Sequence, residues 1–501
     1  MNPVAVTPAE SSRRELFLPL VAGYFALPVL IFLFGWLRPA IGIPAGLVVA
    51  GVYFWFVRRP SQPARPALTQ KNLLLILTVT FAWTLLVGVG GVLPQSGDYL
   101  KHNLLLHDLT SANWPVTYPH EGGETFLCYA LGYYLVPALG GRLLGGDIIP
   151  ALLFVWTFAG LFLFFWWAAT LTTSPKKTIA AILLFAPTGI LWTLFKAHGL
   201  PGIVTAADLE PKLLYGGLLF GYNDSFTRFN YQPQHALTGW LGAAVLYEML
   251  WVKKNPRGAV FVWSLFVFWS PLTSLGLLLV PLAAWRRVRW QNYFEPVNLI
   301  GGGVVLAVLG IYFQGHVPLP DKGFIGTFLP GWEWPFYYAL FLLLLLVPLL
   351  LLWLVERRAK ILGEFRPLFF LASALLLLLP FWKFGVAGDL RNQAGGPATL
   401  FLALAAARIV SSEKFSWQRP LGMLLVVLLL IGAINPVLRP LKNLVSNSPD
   451  YSYSNIEQSL GWHHLTDMTD PRFDLAAQYQ GRGDSPAMRW LLKKTSTPAA
   501  P

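Results

Sequence analysis

Runs of about twenty apolar residues recur along this chain, and each is long enough to cross the hydrocarbon core of a bilayer as a helix. The first three occupy residues 16–37, 41–57 and 72–93. A chain folded in water cannot hide so many of them. Inside a bilayer every backbone N–H and C=O must find a partner within the protein, which favours helices. Composition agrees, with 55% hydrophobic and only 12% charged residues and a mean hydropathy of +0.54. The expected class is an all-α polytopic membrane protein with no large soluble domain. The single cysteine, Cys128, allows no internal disulfide.

A net charge of +13 first suggests a nucleic-acid partner, but the basic residues come in small clusters spread along the chain. That pattern is the positive-inside bias of membrane proteins, so no nucleic acid is expected. Met1 to Glu15 carries Arg13-Arg14, and the loop 58–71 is basic, broken by prolines and free of acids. Both are placed in the cytoplasm. Residues 125–146 are ambiguous, because they are long enough to span but contain Pro137, several glycines and Arg142. If they span, Lys176-Lys177 fall outside and the charge rule fails at every later loop. If they form a helix lying in the outer leaflet, the next span is 148–171. The clusters Lys176-Lys177, Lys253-Lys254-Arg257, Arg286-Arg287-Arg289, Arg357-Arg358-Lys360 and Lys414/Arg419 then all fall inside. The second assignment is preferred.

The later spans are then 178–195, 236–252, a short pair at 259–270 and 272–285, 294–313, 335–355, 367–383, 397–411 and 420–438. The total is about thirteen transmembrane helices. Loops 94–147, 196–235, 314–334 and 384–396 face outward with the tail. Residues 1–71 form a cytoplasmic segment and helical hairpin, 72–252 a core holding the first two outer loops, 253–438 a C-terminal bundle, and 439–501 an extracytoplasmic tail.

The polar chemistry gathers in the outer loops. Between Pro94 and Glu124 stand Asp98, Lys101, His102, His107, Asp108, His120, Glu121 and Glu124. If residues from Asp98 to about Thr110 are helical, Asp98, Lys101, His102 and Asp108 share an arc of about 120° while His107 points away. Such a face can build a site, or it can be the wet side of a helix on the membrane surface. The loop 196–235 holds Lys196, His198, Asp208, Glu210 and Lys212, then Asp224, Arg228 and His235 among tyrosines and amides. Aromatic faces and amides suit a carbohydrate or lipid headgroup, although an interfacial aromatic belt looks similar. In the loop 384–396, Lys383, Asp389 and Arg391 lie at membrane depth, where functional use is the default hypothesis and a guanidinium can grip a phosphate. No HExxH, GxSxG or phosphate-cradling glycine loop occurs. Asp98 and His102 at i, i+4 leave a divalent metal open as a cofactor, but two ligands do not define a site. In the tail, Arg482-Gly483-Asp484 reads as chance.

An acidic outer loop (Gly97-Asp98-Tyr99-Leu100-Lys101-His102-Asn103) is followed by an aromatic-rich segment expected in the outer leaflet (Tyr129, Tyr133, Tyr134). A span to a basic loop follows, and then one with Phe185-Ala186-Pro187 at its far end. This order resembles the GT-C superfamily of membrane glycosyltransferases, the group of the protein mannosyltransferases and aminoarabinose transferases. It looks closest to an uncharacterised bacterial branch with a Gly-Asp-aromatic-x-x-His-Asn loop, a Pro-Gln-His entry and a late Asp-x-x-Arg-like loop. The likeness covers about 72–250 well, 384–408 less, and the first two spans and the tail hardly at all.

The resemblance implies transfer of a sugar from a polyprenyl-phosphate carrier to a lipid, glycan or protein acceptor, on the outer face of a bacterial inner membrane. By that likeness Asp98 acts as base or orients the acceptor hydroxyl, Arg391 or Arg228 with Lys101 stabilises the departing phosphate, and His102 and His235 line the substrate site. Many members carry two adjacent acids in the first loop, whereas Asp98 stands between Gly97 and Tyr99. Asp108 is the candidate for the second role. Two other readings stay open: a catalytically inactive subunit that docks membrane-protein partners through the hairpin 16–57 and the tail, and a transporter of lipid-linked glycan. The transporter needs charges along a midplane path, and the spans hold almost no acids apart from Glu248.

Overall fold

Prolines, glycines and the Arg38 turn cut the apolar runs into helices, and most of the chain is helical. The computed structural model describes residues 16–58, 68–120, 123–187, 220–318, 322–329, 331–385, 388–445, 452–468 and 477–494. The N-terminal segment 1–15, most of the loop 58–71, and the loop residues Lys196, His198, Asp208, Glu210 and Lys212 lie outside the described residues. So do Glu121 and the second half of the span 178–195.

The first hairpin joins α1 (Phe17–Trp36) to α2 (Pro39–Val57). Pro39 opens α2, where its missing N–H is no loss. Then come α3 (Gln70–Leu86), α4 (Tyr99–Ser111), β1 (Thr117–His120), β2 (Gly123–Leu127) and α5 (Leu135–Leu144). α6 (Ile149–Ala168) and α7 (Pro175–Leu184) lead to α8 (Ser225–Tyr231) and α9 (Pro233–Leu246). α10 (Ala259–Trp269) and α11 (Pro271–Leu277) meet at an extended Ser270, followed by α12 (Leu279–Ala284) and α13 (Gly303–Gln314). After β3 (Lys322–Phe324) come α14 (Glu333–Ala359), α15 (Arg366–Leu378), β4 (Trp382–Phe384) and α16 (Asp389–Ser411). α17 (Pro420–Gly432), α18 (Ile434–Leu444), α19 (Ile456–Leu460) and β5 (Gln480–Arg482) close the chain.

Among the described residues, eight helices are long and apolar enough to cross a membrane. Shorter apolar helices stand at Gln70–Leu86, Leu135–Leu144, Ala259–Trp269 and Pro271–Ala284. The protein is thus a mostly helical membrane protein, with two small sheets added to the helices. β1, β2 and β5 form one antiparallel sheet, and β3 pairs with β4 in the other. α9 is buried along its whole length, and so is α16 from Arg391 to Ala407, whereas α2 and α17 leave most side chains outside.

Two expectations need correction. Residues 125–146 are not one leaflet helix: β2 takes the first part, and α5, at ten residues, is about 15 Å long, half a hydrocarbon core. Tyr133 and Tyr134 precede α5 and are buried in the core, and Tyr129 is largely so. The stretch 384–396 is also not a loop, because α16 begins at Asp389 and runs through Gly395-Gly396-Pro397. Close packing explains this. A Cβ at Gly395 would meet the Tyr222 ring at 2.6 Å, and one at Gly396 would meet Arg228 Nη1 at 3.2 Å. The crossing with α11 is equally tight, since a Cβ at Gly276 would fall 2.0 Å from the Ala394 carbonyl oxygen. Arg228 Nη1 donates to the carbonyl of Asn392, supplying a charged donor just ahead of the Pro397 interruption.

The Arg38 turn, the first sheet, the end of α13 and the C-terminal segment contact one another at one end of the bundle. The basic segments meet at another cluster. There Lys177 donates to the Val410 carbonyl, Arg287 pairs with Glu364 and Arg366 with Glu356.

Candidate functional site

Asp98 stands just ahead of α4 but does not cap it, and its carboxylate accepts no bond from the helix backbone. It takes Lys101 Nζ at 2.9 Å instead, one turn along, and keeps 32% of its side-chain surface exposed. Burial alone would lower the Lys101 pKa, but Asp98, and beyond it Tyr479 and Asp389, hold it above the ordinary lysine value. Lys101 is therefore a fixed cation whose carboxylate partner reaches solvent.

α16 brings its first turn to the same place. Asp389 sits at the positive end of that helix dipole, where a carboxylate is favoured. Its carboxylate folds back over Gly385, where a Cβ would fall 1.9 Å from Oδ2 and φ is +79°. Only glycine fits that position. Asp389 lies within electrostatic reach of Lys101, Arg391, Asp98 and Lys383. Arg391 is buried with its guanidinium 5.7 Å from the Tyr222 ring centre.

α8 and the start of α9 supply the third wall. Asp224 caps α8, accepting from the Thr227 N–H and hydroxyl, each at 2.8 Å. This sets Arg228 one turn further in, buried, beside Asn392 and within the field of Arg391. Arg228 Nη2 makes no hydrogen bond among the described residues. His235 follows on α9 with Nδ1 2.8 Å from Ser270 Oγ and Nε2 3.5 Å from the Tyr129 hydroxyl, which donates to Gln393 Oε1 at 3.2 Å. α18 closes the side with a polar stripe spaced every fourth residue. Asn435 reaches Asp224 at 2.5 Å, Arg439 donates to the Tyr231 hydroxyl, and Asn443 reaches Asn230 at 3.0 Å. Its apolar face, with Val437, Leu438 and Leu441, stays exposed.

Asp98, Lys101, Arg228, His235 and Arg391 are thus brought to one end of the bundle. His102 and Asp108 are not part of the open group. His102 Nε2 donates to the Tyr231 carbonyl at 2.9 Å, and the Tyr134 hydroxyl donates to Nδ1 at 2.5 Å. Burial, then the neighbouring Lys101, push its pKa down to about 4, so the ring is neutral and acts as a pin between α4, α8 and the α5 approach. With both nitrogens committed, the Asp98–His102 pair does not fit a metal. No group of three or more His, Cys, Asp or Glu side chains suited to a metal stands among the described residues. Asp108 is fully buried, bound by the Tyr118 hydroxyl at 2.6 Å, the Leu465 N–H at 3.0 Å and His464 Nδ1 at 2.8 Å. Its place beside Asp98 is taken by Asp389.

Sequence reasoning missed Ser270, Gln393 and Tyr479 as members of this group, and marked Tyr129 only as part of an aromatic segment expected in the outer leaflet. Ser270 was marked by the Ser-Pro helix break; Gln393 and Tyr479 carried no signal beyond being polar in an apolar chain. No known protein family, curated protein or solved structure matches the chain.

Proposed function

We propose that the protein is a membrane glycosyltransferase of the GT-C kind, moving a sugar from a polyprenyl-phosphate carrier to an acceptor hydroxyl. The observation that carries this reading is one solvent-reaching carboxylate, Asp98, grouped with a second acid, Asp389, and with the buried cations Arg228 and Arg391. A carboxylate within reach of a hydroxyl accepts its proton as the oxygen attacks the anomeric carbon. The bond from that carbon to the phosphate oxygen breaks, and the phosphate leaves with the electron pair. Two guanidiniums suit that anion, since charge-assisted and bidentate bonds are the strong ones. Lys101 pairs with Asp98 at 2.9 Å. In this reading the chain crosses a bacterial inner membrane about thirteen times, with the site on the outer face.

The inactive-subunit reading draws on one feature, the direct Asp98–Lys101 contact, which occupies the carboxylate. A single comparison separates the two. The full chain and Asp98→Asn are purified in lipid nanodiscs and given undecaprenyl-phosphate-linked hexoses and pentoses, with release of undecaprenyl phosphate as the readout. The variant should melt like the parent and lose about a hundredfold or more in rate, the range for a general base. Parental rates in Asp98→Asn, or no release by the parent with any sugar, would sink the proposal.

A further inference from the structure

The C-terminal segment carries one more side chain into this group. The backbone around Tyr479 is pinned on both sides. Its carbonyl accepts from the N–H groups of Cys128 at 2.7 Å and Tyr129 at 3.2 Å. The preceding carbonyl, of Gln478, accepts from His316 Nε2 at 2.6 Å, and the following one, of Gln480, from the Val317 N–H at 3.0 Å. β5 then pairs with β2 so closely that a Cβ at Gly481 would lie 2.2 Å from the Phe126 ring. A Cβ at Gly483 would lie 1.9 Å from the Glu124 carbonyl oxygen. Gly481 and Gly483 therefore serve strand contact, which gives the glycine of the Arg-Gly-Asp tripeptide a structural reason.

This pinning fixes where the Tyr479 ring can go. The ring is buried, with its centre 5.9 Å from that of Tyr129, and its phenol lies in the field of Lys101, Asp98 and Asp389. Burial, with the two carboxylates adding to it, holds the phenol above its ordinary pKa, so it is a neutral hydrogen-bond donor at physiological pH. A neutral hydroxyl on an aromatic plate suits a sugar ring, whose C–H face packs on the plate while a hydroxyl meets the phenol. Lys101 and the arginines, by contrast, suit the charged part of a donor.

We propose that Tyr479 is a substrate-positioning residue, packing on and hydrogen-bonding the transferred sugar beside Asp98. The C-terminal strand is on this account part of the site. The inference rests on the glycosyltransferase reading. Its test uses the full chain in nanodiscs with the same undecaprenyl-phosphate sugars, comparing Tyr479→Phe and Tyr479→Ala with the parent. Loss of one hydrogen bond should raise KM roughly three- to tenfold in the Phe variant, with kcat within about twofold. The Ala variant should raise KM further, and melting temperatures report whether each variant is folded. If an active parent and both folded variants share one KM, the inference is overturned and the glycosyltransferase reading stands. Equal losses of kcat in both variants with KM unmoved would make Tyr479 a peg for the strand, and would also overturn it. A parent that turns over none of the sugars removes both proposals.

Discussion

At the residue scale, the two acids of α4 bind different parts of the molecule: Asp98 pairs with Lys101 near Asp389, and Asp108 binds Tyr118, His464 and Leu465. Asp98, Lys101, His102 and Asp108 do share a face of α4, yet ten residues of helix rise separate Asp98 from Asp108 by about 15 Å. Over that distance one end of the face meets the site and the other meets the tail. Separation along the chain hid the fate of His102, whose partners Tyr231 and Tyr134 are 129 and 32 residues away. Its titration makes a prediction. Folding depresses its pKa from 6.5 to about 4, so between those values the unfolded chain binds a proton that the folded one refuses. Stability is then whole above pH 6.5 and falls as pH drops towards 4, by at most roughly 3 kcal/mol. His102→Gln keeps an N–H donor and removes the titration. Melting temperature followed from pH 7 to 4 should fall more steeply in the parent than in this variant. Parallel curves would refute the assignment.

At the scale of elements, the long apolar runs were legible because hydropathy is additive along a segment, and α1, α2, α6, α13, α14 and α15 stand close to their expected places. The Ser270-Pro271 break was legible too, since proline cannot continue the preceding helix's bonding. The start of α16 was not. Gly395-Gly396-Pro397 reads as a loop when helix propensity alone is weighed, each glycine costing about 1 kcal/mol and proline about 3. What offsets that cost is contact with Tyr222, Arg228 and α11, which no local window contains. Adding a methyl at these glycines should therefore destabilise, even though alanine is the better helix former. Gly276→Ala, facing a backbone carbonyl, should lower stability by about 1–3 kcal/mol. Gly396→Ala, whose added carbon would lie 3.2 Å from a side-chain nitrogen rather than 2.0 Å from a backbone oxygen, should cost less. Thermal unfolding in detergent ranks the two, and a stabilised Gly276→Ala would contradict the close-packing account.

At the scale of the whole molecule, the described parts of the tail 439–501 are clamped to the first loop and the first hairpin. Each clamp uses backbone groups, which explains why side-chain patterns did not reveal it. Arg38 donates to the Leu492 carbonyl at 3.0 Å, Lys493 donates to the carbonyls of Phe34 and Gly35 at 2.8 and 2.9 Å, and β5 joins β2. Asp108 is a further clamp, tied to the tail through His464 and the Leu465 N–H. An amide in its place keeps one acceptor oxygen and turns the other into a donor facing donors. Asp108→Asn should then loosen the tail locally, seen as faster hydrogen exchange over residues 452–494, while the exchange of α9 and α16 stays at parental levels. If Asp108 were instead the second acid of the site, the same variant would lose turnover with the tail still protected. Loss of tail protection with the KM rise expected for displaced Tyr479 would tie the clamp to the site, because the strand that Asp108 helps to hold is the one that carries that ring.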